Sequence, residues 1–365
     1  MKEGWNLMRI GDVCKVIAGQ SPPGKYYNKE CNGLPFYQGK KEFGDKFIGN
    51  PVIWTSKITK EALKNDILMS VRAPVGPVNF STQKICIGRG LAAIRSGSQI
   101  DKDFLYNFLL KHESEIIGNT GAVFNSINKS QIEALKIPVP PLTEQKRIVS
   151  ILDKAFAAID KAIANTEKNL QNARELFDSY LKEFFSNPGE DWNERKLGEC
   201  FKLKSGDGLT QKNMIPGNYK VFGGNGVAGL HNKYNLCGEN LIVGRVGALC
   251  GNVRYIKENI WLTDNAFKII NYKSEFDFSF LEYLLNFLNL RIYARQAAQP
   301  VISNSSLKDV VLNFPKSINE QKQIVSKLDS LSKETKRLES IYNKKLENLK
   351  ELKQSILQKV FEGEL

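Results

Sequence analysis

Residues capable of covalent or metal chemistry are few. Only His112 and His231 carry an imidazole among 365 residues, which leaves little for a histidine-rich metal site or a base-activated nucleophile. His112 falls in LLKHESE, which reads as a helix with the imidazole at its surface. The cysteines Cys14, Cys31, Cys86, Cys200, Cys237 and Cys250 lie far apart without a CxxC pair. They indicate neither a zinc site nor a disulfide framework, and a reducing cytoplasm is the expected setting. The chain has no Asn/Asp-Pro-Pro-aromatic stretch and no GxxxxGK[ST] phosphate loop. One phosphate-type pattern occurs, Gly224-x-Gly226-x-x-Gly229 within GGNGVAG. A dinucleotide loop must open a helix, whereas LHNKYNLCGENL follows with no helical period, so a plain loop is expected.

Charge says more. The net charge of +13 is uneven: residues 1–141 hold 19 basic against 12 acidic side chains, and residues 188–316 hold 16 against 12. Residues 142–187 balance at 7 against 7, and 317–365 hold 10 against 8. A basic excess concentrated in two blocks favours a polyanion, most simply nucleic acid. MKEGWNLMRIGD has no apolar core, so no signal peptide is expected, and no run is long and apolar enough for a membrane span.

The near-neutral segments must be the helices that position those blocks. LTEQKRIVSILD, from Leu142, returns as INEQKQIVSKLD, from Ile318, at an offset of 176. From Ile148 the apolar positions run Leu152, Phe156, Ile159, Ile163, Thr166, Leu170, Ala173, Phe177, Tyr180 and Phe184, the seam of a long coiled-coil helix. The second seam runs Ile324, Leu328, Leu331, Thr335, Leu338, Tyr342, Leu346, Leu349, Leu352, Ile356 and Val360. Thr143 and Asn319 are the expected N-caps, with Glu144 and Glu320 at the positive end of each helix dipole. SNPGED, from Ser186, ends the first helix.

The basic blocks also repeat, loosely. WNLMRIGDVCKVIAG (from Trp5) pairs with WNERKLGECFKLKSG (from Trp192), DILMSVRAPVGPV with NLIVGRVGALCGNV, and DFLYNFLL with SFLEYLLNFL. Short β-branched runs with Gly and Pro punctuation read as strands, giving mixed α/β (α+β) globules in two copies. The expected layout is globule 1–141, helix 142–187, globule 188–316 and helix 317–365, with the two long helices antiparallel and a pseudo-two-fold repeat. The framework stays put while the globules diverge, as two different targets would require.

LKIPVPPLTEQKRIVSILD, its weaker copy LNFPKSINEQKQIVSKLD, and the blocks DILMSVRAPVG and NLIVGRVGALCG resemble the specificity (S) subunits of type I restriction-modification systems. The resemblance covers essentially the whole chain. It implies a non-catalytic subunit with two target recognition domains, each reading half of a bipartite site in double-stranded DNA. The helical regions are implied to fix the gap and to bind two methyltransferase subunits, restriction subunits joining later. S-adenosylmethionine, ATP and Mg would belong to those partners, and no cofactor to this chain. The departure is Pro315-Lys316-Ser317, which stands where the first copy has Pro140 and Pro141. The helix openings supply the expected partner contacts Pro140, Pro141, Glu144, Gln145, Glu320 and Gln321.

DNA readout calls for Arg or Lys against guanine, Asn or Gln against adenine, and basic groups or backbone N–H against phosphate. In the first globule the candidates are Gln20, Tyr37, Gln38, Lys40, Lys41, Arg72, Arg89 and Asn125. In the second they are Lys204, Asn225, Arg245, Arg254, Asn265, Ser303 and Asn304. GGNG corresponds to FYQGKK, Phe36 to Lys41, and Arg72 and Arg245 are expected at related repeat positions. Other readings are a coiled-coil assembly protein whose basic globules bind a partner other than DNA, and a specificity subunit of a system without translocation. Helices of this length span roughly 65 Å, which sets half-sites about one to one and a half turns apart. Removing whole heptads from both helices should therefore shorten the gap tolerated in a binding-site selection; a contiguous selected target would contradict the two-domain reading.

Overall fold

The structure, a computed structural model, describes residues 4–117, 126–295 and 299–364. Asn125 lies outside the described residues. By internal contacts the chain forms two units, Met1–Glu167 with Lys344–Leu365, and Lys168–Asn343. Each globule thus takes in the adjoining halves of both long helices, Leu142–Ser186 and Ile318–Glu362.

In unit 1 an antiparallel sheet carries the strands Cys14–Ala18, Leu91–Ser96, Ile67–Ser70 and Val78–Phe80, in that order. Ile67–Ser70 is buried throughout, as a strand covered on both faces must be. The ribbon of Asn6–Arg9 with Lys136–Val139 stands beside it. A third sheet orders Tyr27–Asn28, Trp54–Thr55, Leu34–Tyr37, Ile85–Ile87 and Glu61–Ala62, with the middle pair Leu34–Tyr37 and Ile85–Ile87 parallel. The helix Lys102–Ile117 lays Phe104, Leu105, Phe108 and Leu109 into the core. Ile148 and Leu152 of one long helix and Leu357, Val360 and Phe361 of the other close that core. The long helices run antiparallel here, and Lys353 Nζ donates to Asp160 Oδ1 at 2.9 Å while lying 4.9 Å from the Phe156 ring centre. The expected seam slips at this point. Leu352 is 47 % exposed, and Leu357 is buried instead, while Lys353 beside it holds its ammonium over the Phe156 ring.

Unit 2 builds the same framework from different residues. Its antiparallel sheet orders Lys202–Ser205, Ala266–Ile270, Asn240–Gly244 and Val253–Ile256. Trp192–Lys196 pairs with Val311–Pro315. The helix Phe278–Phe287 packs Phe280, Leu281, Leu284 and Leu285 against Phe185, Ile324 and Leu328. Arg174 Nε and Glu339 Oε1 lie 3.0 Å apart across the helix pair. The third sheet is where the units part: it has three strands here, Gly226–His231, Tyr219–Gly223 and Trp261–Leu262.

Both long helices open two residues earlier than the expected caps imply. The Pro141 carbonyl accepts from Glu144 N (2.9 Å) and Gln145 N (3.0 Å), and the Ser317 carbonyl accepts from Gln321 N (3.1 Å). Thr143 and Asn319 are therefore second helical residues, not caps. The repeated glutamine has the decisive role. Gln145 Oε1 accepts from Asp101 N (2.7 Å), while its Nε2 donates to Gln99 O (3.0 Å) and Pro140 O (2.7 Å). Gln321 repeats this with Asp277 N (2.8 Å), Glu275 O (3.3 Å) and Pro315 O (3.0 Å). Asp101 and Asp277 in turn cap the packing helices, accepting from Phe104 N and Phe280 N. The shared acceptor role makes Pro315 the counterpart of Pro140, and the second link is one residue longer. What the second copy lacks is Pro141 alone.

Replacing Gln145 by Ala removes the side-chain partner of three backbone groups, the Pro140 carbonyl among them buried, a cost of roughly 1–3 kcal/mol. Hydrogen exchange should show faster exchange at the Asp101 amide and a less stable unit 1, while Lys146→Ala at the neighbouring exposed position changes neither.

Candidate nucleic-acid interface

In unit 1 the parallel strands Leu34–Tyr37 and Ile85–Ile87 end side by side, so the loops that follow them meet. Gly88 N donates to Tyr37 O (2.8 Å) and Gly90 N to Gln38 O (3.1 Å). A Cβ on Gly90 would stand 2.4 Å from Gln38 O, so the close approach needs glycine there. The loop after Ala18 joins them: Gln20 N donates to Ile87 O (3.0 Å). Ser21 Oγ donates to Gln38 Oε1 (2.8 Å) and accepts from Arg89 N (3.2 Å). Val71 N reaches Gly90 O (3.0 Å), which places Arg72 beside the same loops. Gln20, Gln38, Arg72 and Arg89 therefore gather on one exposed rim, with Lys40 and Lys41 on the adjoining turn Lys40–Glu42. Such a surface can donate to phosphate oxygens and to base edges.

Tyr37 does not belong to it. Its ring is 1 % exposed, its hydroxyl donates to Gly49 O at 2.9 Å, and burial pushes its pKa up to about 12. Strand alternation turns it into the core, where Gln38 next to it turns out. Four further residues, Lys25, Tyr26, Lys57 and Thr59, went unnoticed in the sequence. Lys25 and Lys57 each hold Nζ 5.3 Å from the Tyr26 ring centre, and Thr59 Oγ1 donates to Gln20 O, tying that group to the rim. The Pro-Pro-Gly-Lys-Tyr run was the available signal.

In unit 2 Thr263 N donates to Phe222 O (2.9 Å), as Gly88 does to Tyr37, so Gly223–Asn225 occupies the place of Gln38–Lys40. GGNG turns a β-hairpin between Tyr219–Gly223 and Gly226–His231, with Gly226 at φ +98°. This is the geometry of a loop, and no helix follows it. Asn225 and Asn265 share an open cleft of about 590 Å³ with Thr210, Gln211 and Asn213. Asn225 Oδ1 also accepts from Leu249 N (3.0 Å). Arg254 is half-buried on Val253–Ile256, where desolvation lowers its pKa. Lys204 is exposed on Lys202–Ser205 opposite Lys268, outside the cleft lining.

Three candidates in unit 2 also carry structural hydrogen bonds, and one of them stands at another register than expected. Asn304 pins the sheet edge, its Oδ1 accepting from Leu203 N (3.2 Å) and its Nδ2 donating to Leu203 O (2.9 Å). Ser303 caps Asn304–Leu307, accepting from Ser306 N at 3.2 Å. Arg245 is out of register with Arg72. Its carbonyl accepts from Ile302 N, as that of Val71 accepts from Ile127 N, so Val71 is its counterpart. The bridges Arg72–Ser126 and Val246–Val301 confirm the shift. One residue of slip puts the two arginines on opposite faces. Arg245 Nη1 donates to Ser205 Oγ (3.2 Å) and Asp264 O (3.1 Å), with the guanidinium 5.4 Å from the Phe267 ring centre.

At the helix openings, Gln145 and Gln321 are 0 % exposed and Pro140 is buried, so these side chains serve the fold and present nothing to a partner. Pro141 is exposed. Glu144 pairs with Arg147 at 2.7 Å, and Glu320 Oε1 accepts from Trp192 Nε1 at 3.0 Å. His231 is buried, accepting from Ile215 N at 3.0 Å with its ring 5.1 Å from Trp261. Among the described residues no cluster of three His, Cys, Asp or Glu could hold a metal ion, and no helix is long and apolar enough to cross a membrane.

One framework built twice, each copy with its own polar loops above it, defines a duplicated recognition protein. The model of the type I restriction modification DNA specificity domain matches residues 2–170 and again 189–348. The chain belongs to this family, the specificity subunits of type I restriction-modification systems. It is 48 % identical over 166 residues to a putative MjaX specificity subunit from Methanocaldococcus jannaschii, covering 44 % of this chain and 38 % of that one. A StySPI specificity subunit from Salmonella potsdam is 24 % identical, covering 100 % of this chain and 90 % of that one. The HsdS subunit crystal structure from Thermoanaerobacter tengcongensis shares the fold, with a TM-score of 0.64 and 20 % identity over 100 % of this chain and 98 % of that one. The chain spans from 38 % to 56 % of the length of several curated relatives.

The clamp made by Arg245 predicts a stability effect that Arg72 lacks. Arg245→Ala should cost roughly 1–2 kcal/mol and lower the melting temperature of unit 2 by roughly 2–6 °C. Arg72→Ala should leave calorimetric melting unchanged.

Proposed function

We propose that the chain is the DNA sequence-specificity subunit of a type I restriction-modification complex and has no chemistry of its own. Each unit reads one half of a bipartite site in double-stranded DNA. The long helices set the gap and dock two methyltransferase subunits, restriction subunits completing an endonuclease in the cytoplasm. S-adenosylmethionine, ATP and Mg act in those partners. The carrying observation is the contrast within the repeat: the sheet, capped helix and glutamine latch recur almost group for group, while the loops above them differ in residue type and strand number. Unit 1 offers Gln20, Gln38, Lys40, Lys41, Arg72 and Arg89; unit 2 offers Asn225 and Asn265 in a cleft. Basic and amide side chains at a loop rim are the groups that reach phosphate and base edges.

Docking of the partners is assigned to the exposed part of each helix opening, with Pro141, Glu144 and Glu320 as contact residues. Lys316 and Ser317 replace Pro141 in the second copy, so the two contacts are chemically different.

Co-purification with a methyltransferase, followed by methylome sequencing of the host, should return a bipartite motif. With Arg72→Ala or Arg89→Ala in that complex, one half of the motif should lose definition or affinity by roughly 1–3 kcal/mol while the other half is unchanged. A contiguous motif, or binding and specificity unaltered by both variants, would count against the proposal.

A further inference from the structure

A cavity of about 690 Å³ opens in unit 2 just beyond the strand Asn240–Gly244. Arg245 and Arg295 line it together with the hydroxyl side chains of Tyr293, Ser303, Ser305 and Ser306. None of the described lining residues is acidic, and neither arginine forms an ion pair with a described residue. Arg245 holds on through Nη1 alone; its Nε is buried and has no acceptor. Arg245 is half-buried at the cavity, and a guanidinium matches the oxygens of phosphate in a fork geometry. Two unneutralised guanidinium groups beside several hydroxyls select an anion with many acceptor oxygens. The cavity is larger than one phosphate group and leaves room for the sugars on either side of a phosphodiester.

The repeat supplies an internal comparison. Val71 occupies the backbone position of Arg245 in unit 1, so the arginine at this position is a property of unit 2. We infer that the cavity lined by Arg245, Arg295 and Ser305 seats a phosphate group, and that the group is a DNA phosphodiester, the second half of this inference resting on the function proposed above. Such a contact fixes the position of the duplex on unit 2 and reads no base.

The test uses the full chain co-purified with its methyltransferase, with Arg295→Ala, and Ser305→Ala as a second variant, since both side chains line the cavity outside the core. The probes are a duplex carrying the methylated motif, a scrambled duplex of equal length, and inorganic phosphate. Arg295→Ala should weaken both duplexes alike, roughly tenfold, and lower the slope of log affinity against log salt by about one. The methylated motif should not change. If duplex affinity is unaltered but millimolar inorganic phosphate raises the melting temperature of the parent and not of Arg295→Ala, the seat stands and its ligand is a free phosphate. If neither variant alters either response, the inference is overturned while DNA recognition stands. If the parent complex binds no duplex, DNA recognition fails, and the phosphate response alone decides for or against the seat.

Discussion

A buried glutamine holds three backbone segments together in each unit, and the rest of the framework depends on it. Gln145 and Gln321 sit in the first turn of the long helices, where the side chain can reach backwards. Each takes an amide hydrogen from the capping aspartate of the packing helix. Each also gives its own two hydrogens to the carbonyls of a loop and of the ribbon strand. An amide is the side chain that suits this task, since a carboxylate lacks the donors and an aliphatic group leaves three polar groups without this partner, one of them buried. The latch therefore sets where the long helix leaves the globule, which in turn sets which residues of that helix close the core.

Much of this was legible in the sequence, although the reason for the repeat was not. Eight shared residues at one offset mark two helix starts, and the apolar steps of three and four residues mark the buried seam. Both survive in the structure because they report burial, which periodicity encodes directly. The glutamine of each opening reads as a partner contact, as a polar residue at a helix start is usually solvated. Its burial follows from the ribbon and the preceding loop folding over it, and those lie 44 to 46 residues away for the loop contacts. Leu352 fails where Lys353 takes the position over the Phe156 ring, a contact that a count of apolar residues passes over.

The recognition rim was less legible, for one physical reason. Asn, Gln, Ser and Arg are chosen for base reading because they donate and accept in fixed geometry, and the same property lets them satisfy backbone groups. Asn304 holds the Leu203 peptide, Ser303 caps a short helix and Arg245 Nη1 holds Asp264 O, while Gln38 and Arg89 keep their outer faces for solvent. Only the register of the sheet separates these cases. Arg72 and Arg245 differ by one step along equivalent strands, and one step reverses the face.

The rim is built so that its side chains can change without disturbing what lies beneath. In unit 1 the loops are joined through Gly88 N to Tyr37 O, Gly90 N to Gln38 O and Gln20 N to Ile87 O, which are backbone contacts. Unit 2 keeps the corresponding contact, Thr263 N to Phe222 O, although tyrosine has become phenylalanine and Gln-Gly-Lys has become Gly-Gly-Asn. Apart from the close approach that needs glycine at Gly90, backbone bonds carry no side-chain requirement, so substitution above them costs the framework little, whereas the latch below admits essentially one residue type. Divergent loops on a near-identical base are thus the expected result of placing specificity in side chains and placement in peptide groups. The same division explains why the helix openings repeat closely while the surfaces between them do not.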